Sequence, residues 1–182
     1  MTFIDDDDYV SPQFLELMYS IADKNTVVLS NVYAFDDNTP EIQRRYRMTD
    51  SYHRLASQGT IKFTKARKFF SGPCMKLIPM NHIKGRKFDT NFKNGEDTLF
   101  MFLISDSFSN VTCSDAGAIY YRRYRIGSAV TTSRSRSEIV RNEIKLLLKM
   151  LSIYIPRFWK YNFMFSIASF LSTLHGMVES KK

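Results

Sequence analysis

Four consecutive aspartates, Asp5–Asp8, constrain this chain more than any other stretch. Phe3-Ile4 leads into them, and Tyr9-Val10 and then Ser11-Pro12 follow. Four like charges in a row repel one another, and a purely structural role leaves that cost unrelieved. A divalent cation relieves it, because hard ions such as Mg²⁺ and Mn²⁺ prefer carboxylate oxygen. Phe3-Ile4 reads as the end of a buried strand. Ser11-Pro12 reads as an N-cap with proline at the first helical position. The aspartates then occupy a loop at a strand's carboxyl end, where open α/β sheets bind ligands. The competing reading is a solvated acidic terminus.

The body of the chain bears on that choice. Its 182 residues suffice for a real core, and 44% hydrophobic with 14% aromatic content argues against disorder. Net charge is +8 but unevenly spread. Up to Pro40 there are eight acidic residues and one basic; after it there are ten acidic and twenty-five basic. A basic body attracts polyanions, whether nucleic acid, anionic lipid or phosphorylated small molecules. An acidic loop inside such a body suits a metal–diphosphate ligand best. Two cysteines, Cys74 and Cys113, give no zinc spacing and no disulfide framework. A reducing cytoplasm is the default expectation. No stretch has the length of uncharged apolar sequence needed to span a bilayer.

Along the chain, Pro12–Asp23 carries a helical apolar stripe, and Thr26–Phe35 is β-branched and aromatic, predicting one strand. Asp36–Pro40 predicts a turn, and a short helix is expected around Asp50–Ser57. His53 there reads as a surface residue. Phe69–Leu77 with Gly72-Pro73 predicts a short helix towards His82, with Lys76 snorkelling out of a core. Glu96-Asp97 opens a helix apolar nearly all round, Leu99–Ile104, which such a pattern buries. Two acids in a first turn are favoured by the helix dipole, and a carboxylate at such an edge also makes a good general base. Val111–Tyr124 contains a strand pattern and runs into Tyr121-Arg122-Arg123-Tyr124-Arg125 and Gly127-Ser128, where guanidinium groups between aromatics suit phosphate binding. Ser135-Arg136-Ser137-Glu138 is a capping box for a helix that Pro156 ends. Arg157–Val178 predicts a second helix, basic and aromatic at its start, that either covers a core or rests on a membrane surface. His175 near its end reads as a packing or capping residue.

Three of these segments carry a resemblance. Phe3–Val10 resembles the F-[VI]-D-x-D-D-x-[VI] segment of family-2 glycosyltransferases of GT-A fold. Phe88-Asp89 with Gly95-Glu96-Asp97-Thr98-Leu99-Phe100 is similar to that family's F-D-x(n)-G-E-D-x-L-F signature. Tyr121–Ser128 resembles its Y-x-Y-R-x-R-x-G-S segment. A shorter likeness joins them, since Lys76-Leu77 matches W-x-K-L-[YF] with Cys74 standing where tryptophan is frequent. The resemblance implies Asp5 and Asp7 as the DxD pair holding Mn²⁺ or Mg²⁺ against a nucleotide-sugar diphosphate. It implies Asp97 as the base that deprotonates an acceptor hydroxyl, with Glu96 in support. Arg122, Arg125 and Ser128 would lie near the diphosphate.

The fold expected from it is α/β, GT-A-like, second half only, with C-terminal helices. Residues 1–133 would form the metal and acceptor side, and 134–182 a helical extension. The family's P-x-Y-N and D-D-[GS]-S nucleoside segments have no counterpart here. The resemblance therefore implies a chain inactive by itself, whose sheet edge invites a homodimer. Its expected reaction is inverting sugar transfer to a hydroxyl of a glycan or lipid-linked acceptor, in polysaccharide or glycan biosynthesis, with possible membrane association through the C-terminal helix. Two readings from other classes stand beside it: a nucleic-acid-binding module using Tyr120–Arg125, and a membrane-surface interaction protein.

Overall fold

The computed structural model describes residues 1–125 and 135–179. These fall into two compact units. The first takes in residues 1–69, 73–81 and 108–125; the second takes in 70–72, 82–107 and 135–179. The helix at Glu96 thus groups with the C-terminal helices, a division that cuts the chain differently from the motif-based one at 133/134.

The first unit is mixed α/β. Its strands are β1 (Tyr9–Val10), β2 (Thr26–Leu29), β3 (Asn31–Asp36), β4 (Thr39–Arg44), β5 (Ile61–Lys62), β6 (Lys76–Leu77), β7 (Asn110–Cys113) and β8 (Ile119–Tyr124). They form two four-stranded sheets, ordered β1-β8-β3-β4 and β5-β7-β2-β6. The helices are α1 (Phe14–Tyr19) and α2 (Arg47–Ala56).

The single strand expected over Thr26–Phe35 is two strands in different sheets. β2 runs parallel to β7, and β3 runs parallel to β8. The chain passes from one sheet to the other at Ser30, whose N–H donates to Met75 O at 3.0 Å, while the next N–H, of Asn31, donates to Ala118 O at 2.9 Å. Asn31 seals the step: its Nδ2 donates to Ala116 O, and its Oδ1 accepts from Val32 N–H. β2 is buried at every position, as a parallel strand covered on both faces must be. Asp37-Asn38 turns β3 into β4 as expected. α2 begins three residues earlier than the helix expected at Asp50, and His53 lies exposed on it. Its buried Tyr52 hydroxyl donates to Ser114 O at 2.7 Å, and burial pushes the phenol up to about 12.

Two expectations at the N-terminus are corrected. Phe3-Ile4 lies in no strand, and Ile4 is 46% exposed. The segment is held by Met1, whose carbonyl accepts from Ile78 N–H at 2.8 Å. Ser11 caps no helix either. Its hydroxyl donates to Gly117 O and accepts from Ile119 N–H, so it pins β1 to β8, and α1 starts after Gln13. The short helix expected towards His82 forms as α3 (Met80–Ile83), while Lys76-Leu77 before it is not helical but forms β6, with Lys76 opposite Leu29.

The second unit is helical, with α4 (Glu96–Ile104), α5 (Arg136–Tyr154) and α6 (Phe163–Glu179). Leu99, Phe100, Met101, Phe102 and Ile104 of α4 are all buried, as its all-round apolar sequence requires. Phe102 stacks on Tyr161 with ring centres 5.3 Å apart. The capping box at Ser135 and Glu138 is formed in both directions and starts α5.

Candidate functional site

The acidic run forms a turn closed by Asp8 N–H donating to Asp5 O at 3.1 Å. Its surroundings follow from strand register. β1 pairs antiparallel with β8, Tyr9 opposite Tyr121 and Val10 opposite Tyr120. Residues before Tyr9 must therefore lie alongside those after Tyr121, which are the arginines. Arg123 N–H donates to Asp8 Oδ1 at 2.8 Å, and Arg125 Nε lies 3.3 Å from Asp7 Oδ2. Two sequence segments more than a hundred residues apart thus meet, the carboxylates of Asp8 and Asp7 against the Arg123 backbone N–H and the Arg125 guanidinium.

Tyr120 anchors the turn from below. Its ring is fully buried, and its hydroxyl accepts from Asp5 N–H at 3.1 Å and shares a hydrogen bond with the Asp8 carboxylate. Burial raises the Asp8 carboxyl above its ordinary value, and the neighbouring Asp5 and Asp7 charges push the same way. Cys74 Sγ donates to Asp5 Oδ1 at 3.4 Å. Burial, with the Asp5 carboxylate beside it, pushes this thiol up to about 12, so it is protonated at neutral pH. Lys76 is also fully buried and donates from Nζ to Cys74 O at 2.6 Å. This replaces the snorkelling lysine expected from sequence with one held inside the fold. Tyr120 and Lys76 were singled out from sequence for other roles, and their support of the acidic turn was missed.

Asp5 and Asp7 offer hard oxygen donors, yet among the described residues no three His, Cys, Asp or Glu side chains gather as a metal cluster. Hard divalent ions are commonly held by one or two carboxylates while substrate phosphates supply the remaining oxygens. The donor set fits that incomplete kind of site and does not fit a closed protein cage. Arg122 donates to Tyr46 Oη at 2.8 Å, and its guanidinium stands 5.4 Å from the Tyr124 ring centre. Ser128 lies outside the described residues.

Glu96 and Asp97 lie in the second unit, in the first turn of α4. The residues around them explain the rest of their motif. Gly95 has φ +85°, so the backbone there demands glycine, and a Cβ would stand 2.9 Å from Leu146 Cδ2, which would have to shift. Phe88 stacks on Phe100 at 4.1 Å. Asp89 pairs with Lys149 at 3.0 Å, and that lysine, with Asn91, holds its carboxyl below the usual value. Asp97 Oδ2 comes within 3.6 Å of where a Gly72 Cβ would stand, and Thr98 Oγ1 donates to Ser71 O. Glu96 Oε2 is buried and finds no hydrogen-bond partner among the described residues.

Each unit also has a cleft. One of about 450 Å³ in the first unit is lined by Arg54, Lys65, Arg67 and Lys68 among others. One of about 440 Å³ in the second includes Phe88, Asp89, Phe100 and Lys149. Neither lining contains Asp5, Asp7, Glu96 or Asp97.

Comparison with curated proteins returns no match. A family model does match: the one described as glycosyl transferase family 2, over residues 1–86. The matched span holds the acidic turn, Cys74 and Lys76, and stops before Glu96. The mixed α/β architecture with C-terminal helices is consistent with a GT-A-like fold. The likeness to that family covers fewer than half of the chain's 182 residues.

Proposed function

We propose that the chain supplies the metal and acceptor parts of a nucleotide-sugar glycosyltransferase that inverts the sugar carbon while transferring it to a hydroxyl. The observation that carries this reading is the meeting of Asp5–Asp8 with Arg122–Arg125 across the β1–β8 register. A divalent cation bound at such a site would offset the charge of a diphosphate leaving group. The chain's own residues do the rest. Asp5 and Asp7 present oxygens on a turn held by Tyr120 through the Asp5 N–H and by Arg123 through the Asp8 carboxylate. Arg125 guards Asp7 and can turn its guanidinium to phosphate oxygen, which it recognises as it does a carboxylate. Asp97 accepts the acceptor hydroxyl's proton as the new bond forms, and Glu96 supports the acceptor. The motif resemblance supports that last assignment, which lies beyond the matched residues 1–86.

The nucleic-acid reading loses ground to the same contacts. Asp7, Asp8 and Asp37 all stand against the arginine strand, and a polyanion track is poorly served by carboxylates along it. Calorimetry with inorganic diphosphate tests the proposal. Binding should appear with Mn²⁺, vanish with a chelator, and vanish in Asp5→Asn/Asp7→Asn. Binding indifferent to chelator and to both substitutions would overturn it.

A further inference from the structure

α6 is built inside out. Ser166, Ser169 and Thr173 are buried with Phe165, while Phe163, Met164, Ile167, Leu171 and Leu174 are exposed at 37–64%. The buried hydroxyls are satisfied on the helix itself: Ser166 donates to Asn162 O, Ser169 to Phe165 O and Thr173 to Ser169 O. The exposed residues recur at i, i+4, i+8 and i+11 and so occupy one stripe roughly 100° wide. α5 shows the same habit, with Ile144 and Leu148 exposed at 45% and 61%.

The link between these helices, Ile155–Lys160, is exposed at every residue. It presents Ile155, Phe158 and Trp159, the last at 67%, between Arg157 and Lys160. From Ile144 to Val178 the sequence holds four Lys or Arg and no Asp or Glu. An apolar surface this extensive is unusual unless something covers it.

We propose that this face docks on an anionic lipid surface, with the Ile155–Lys160 link and the α6 stripe lying in the headgroup boundary. Aromatic and aliphatic side chains bury there while Arg157 and Lys160 meet lipid phosphate. Among the described residues no helix is long and apolar enough to cross a membrane, so the contact is interfacial. A second copy of the chain fits less well. Two-fold pairing presents the same patch twice, bringing Arg157 and Lys160 of both copies together with no acidic residue of the patch to offset them. The inference is independent of the transferase reading and stands if that reading fails.

Trp159 is the chain's single tryptophan and reports on the link directly. Its emission should shift to the blue with vesicles of phosphatidylglycerol and phosphatidylcholine, and brominated acyl chains should quench it. Pure phosphatidylcholine vesicles should bind more weakly. Arg157→Ala and Lys160→Ala should each lower partitioning by roughly five-fold. Phe163→Ser/Leu171→Ser should lower it further at unchanged circular dichroism. Unchanged Trp159 emission with anionic vesicles would overturn the proposal. So would a dimer in light scattering that the Phe163→Ser/Leu171→Ser variant converts to monomer while vesicle binding is absent.

Discussion

The two acidic segments carry the same kind of charge and live in different ways. Asp5–Asp8 sits on a turn whose backbone is tied to Tyr120, whose Asp8 carboxylate accepts from Arg123 N–H and whose outer carboxylate, Asp7, faces Arg125. Glu96-Asp97 sits on a helix start, where unpaired backbone N–H groups and the dipole already favour negative charge. The first arrangement concentrates four charges against nearby cations, so an added cation or diphosphate has something to exchange with. The second would exist for folding reasons alone. A helix-start acid needs independent proof before it becomes a catalyst, whereas a four-aspartate turn needs explaining if it binds nothing.

Breaking the comparison starts with Asp97. Under the proposed transfer reaction, Asp97→Asn should lower turnover ~10²–10⁴-fold, the usual contribution of a general base, with donor binding nearly intact. A purely helix-start role predicts instead a loss of a few tenths to ~1 kcal/mol in stability and little change in rate. Turnover and melting temperature on one variant separate the two.

Gly95→Ala sharpens the structural side. The positive φ and the Leu146 contact together should cost about 1–3 kcal/mol, read as a lower urea midpoint. Adding Leu146→Ala should leave the backbone part of that loss in place.

Arg125→Ala removes a half-exposed ion pair and should change stability by less than about 1 kcal/mol. Calorimetry should nonetheless show weaker diphosphate binding, because the guanidinium is proposed to serve the ligand.

The smallest effect concerns Asp8. Burial raises its folded carboxyl above the unfolded 3.8, so the unfolded chain releases this proton first. Stability then falls as pH rises from about 4 through the folded value, and the penalty persists at neutral pH. Asp8→Asn keeps the acceptor for Arg123 N–H, so it should flatten that slope and raise the melting temperature slightly at pH 7.

Much of this was legible in the residues, for physical reasons that differ from place to place. The buried helix after Asp97 and the capping box at Ser135 are local patterns, and both formed. The strand break at Ser30 was not legible, because Thr26–Phe35 has strand-forming residues throughout, and only distant carbonyls at Met75 and Ala118 reveal the crossing. Ser11-Pro12 has the right letters for a cap, yet pairing with β8 claimed the hydroxyl. The acidic turn was visible as charge, but its partners were not. Register alone brings Arg123 and Arg125 to it, and register is a long-range fact.

The most direct test of the contrast between the two acidic segments is Mn²⁺ uptake, followed as loss of the free-ion electron spin resonance signal on adding the protein with inorganic diphosphate. Uptake should be seen for the unaltered chain and for Glu96→Gln/Asp97→Asn, and should be lost in Asp5→Asn/Asp7→Asn. Equal uptake by all three would contradict the assignment of the Asp5–Asp8 turn as the cation and diphosphate site.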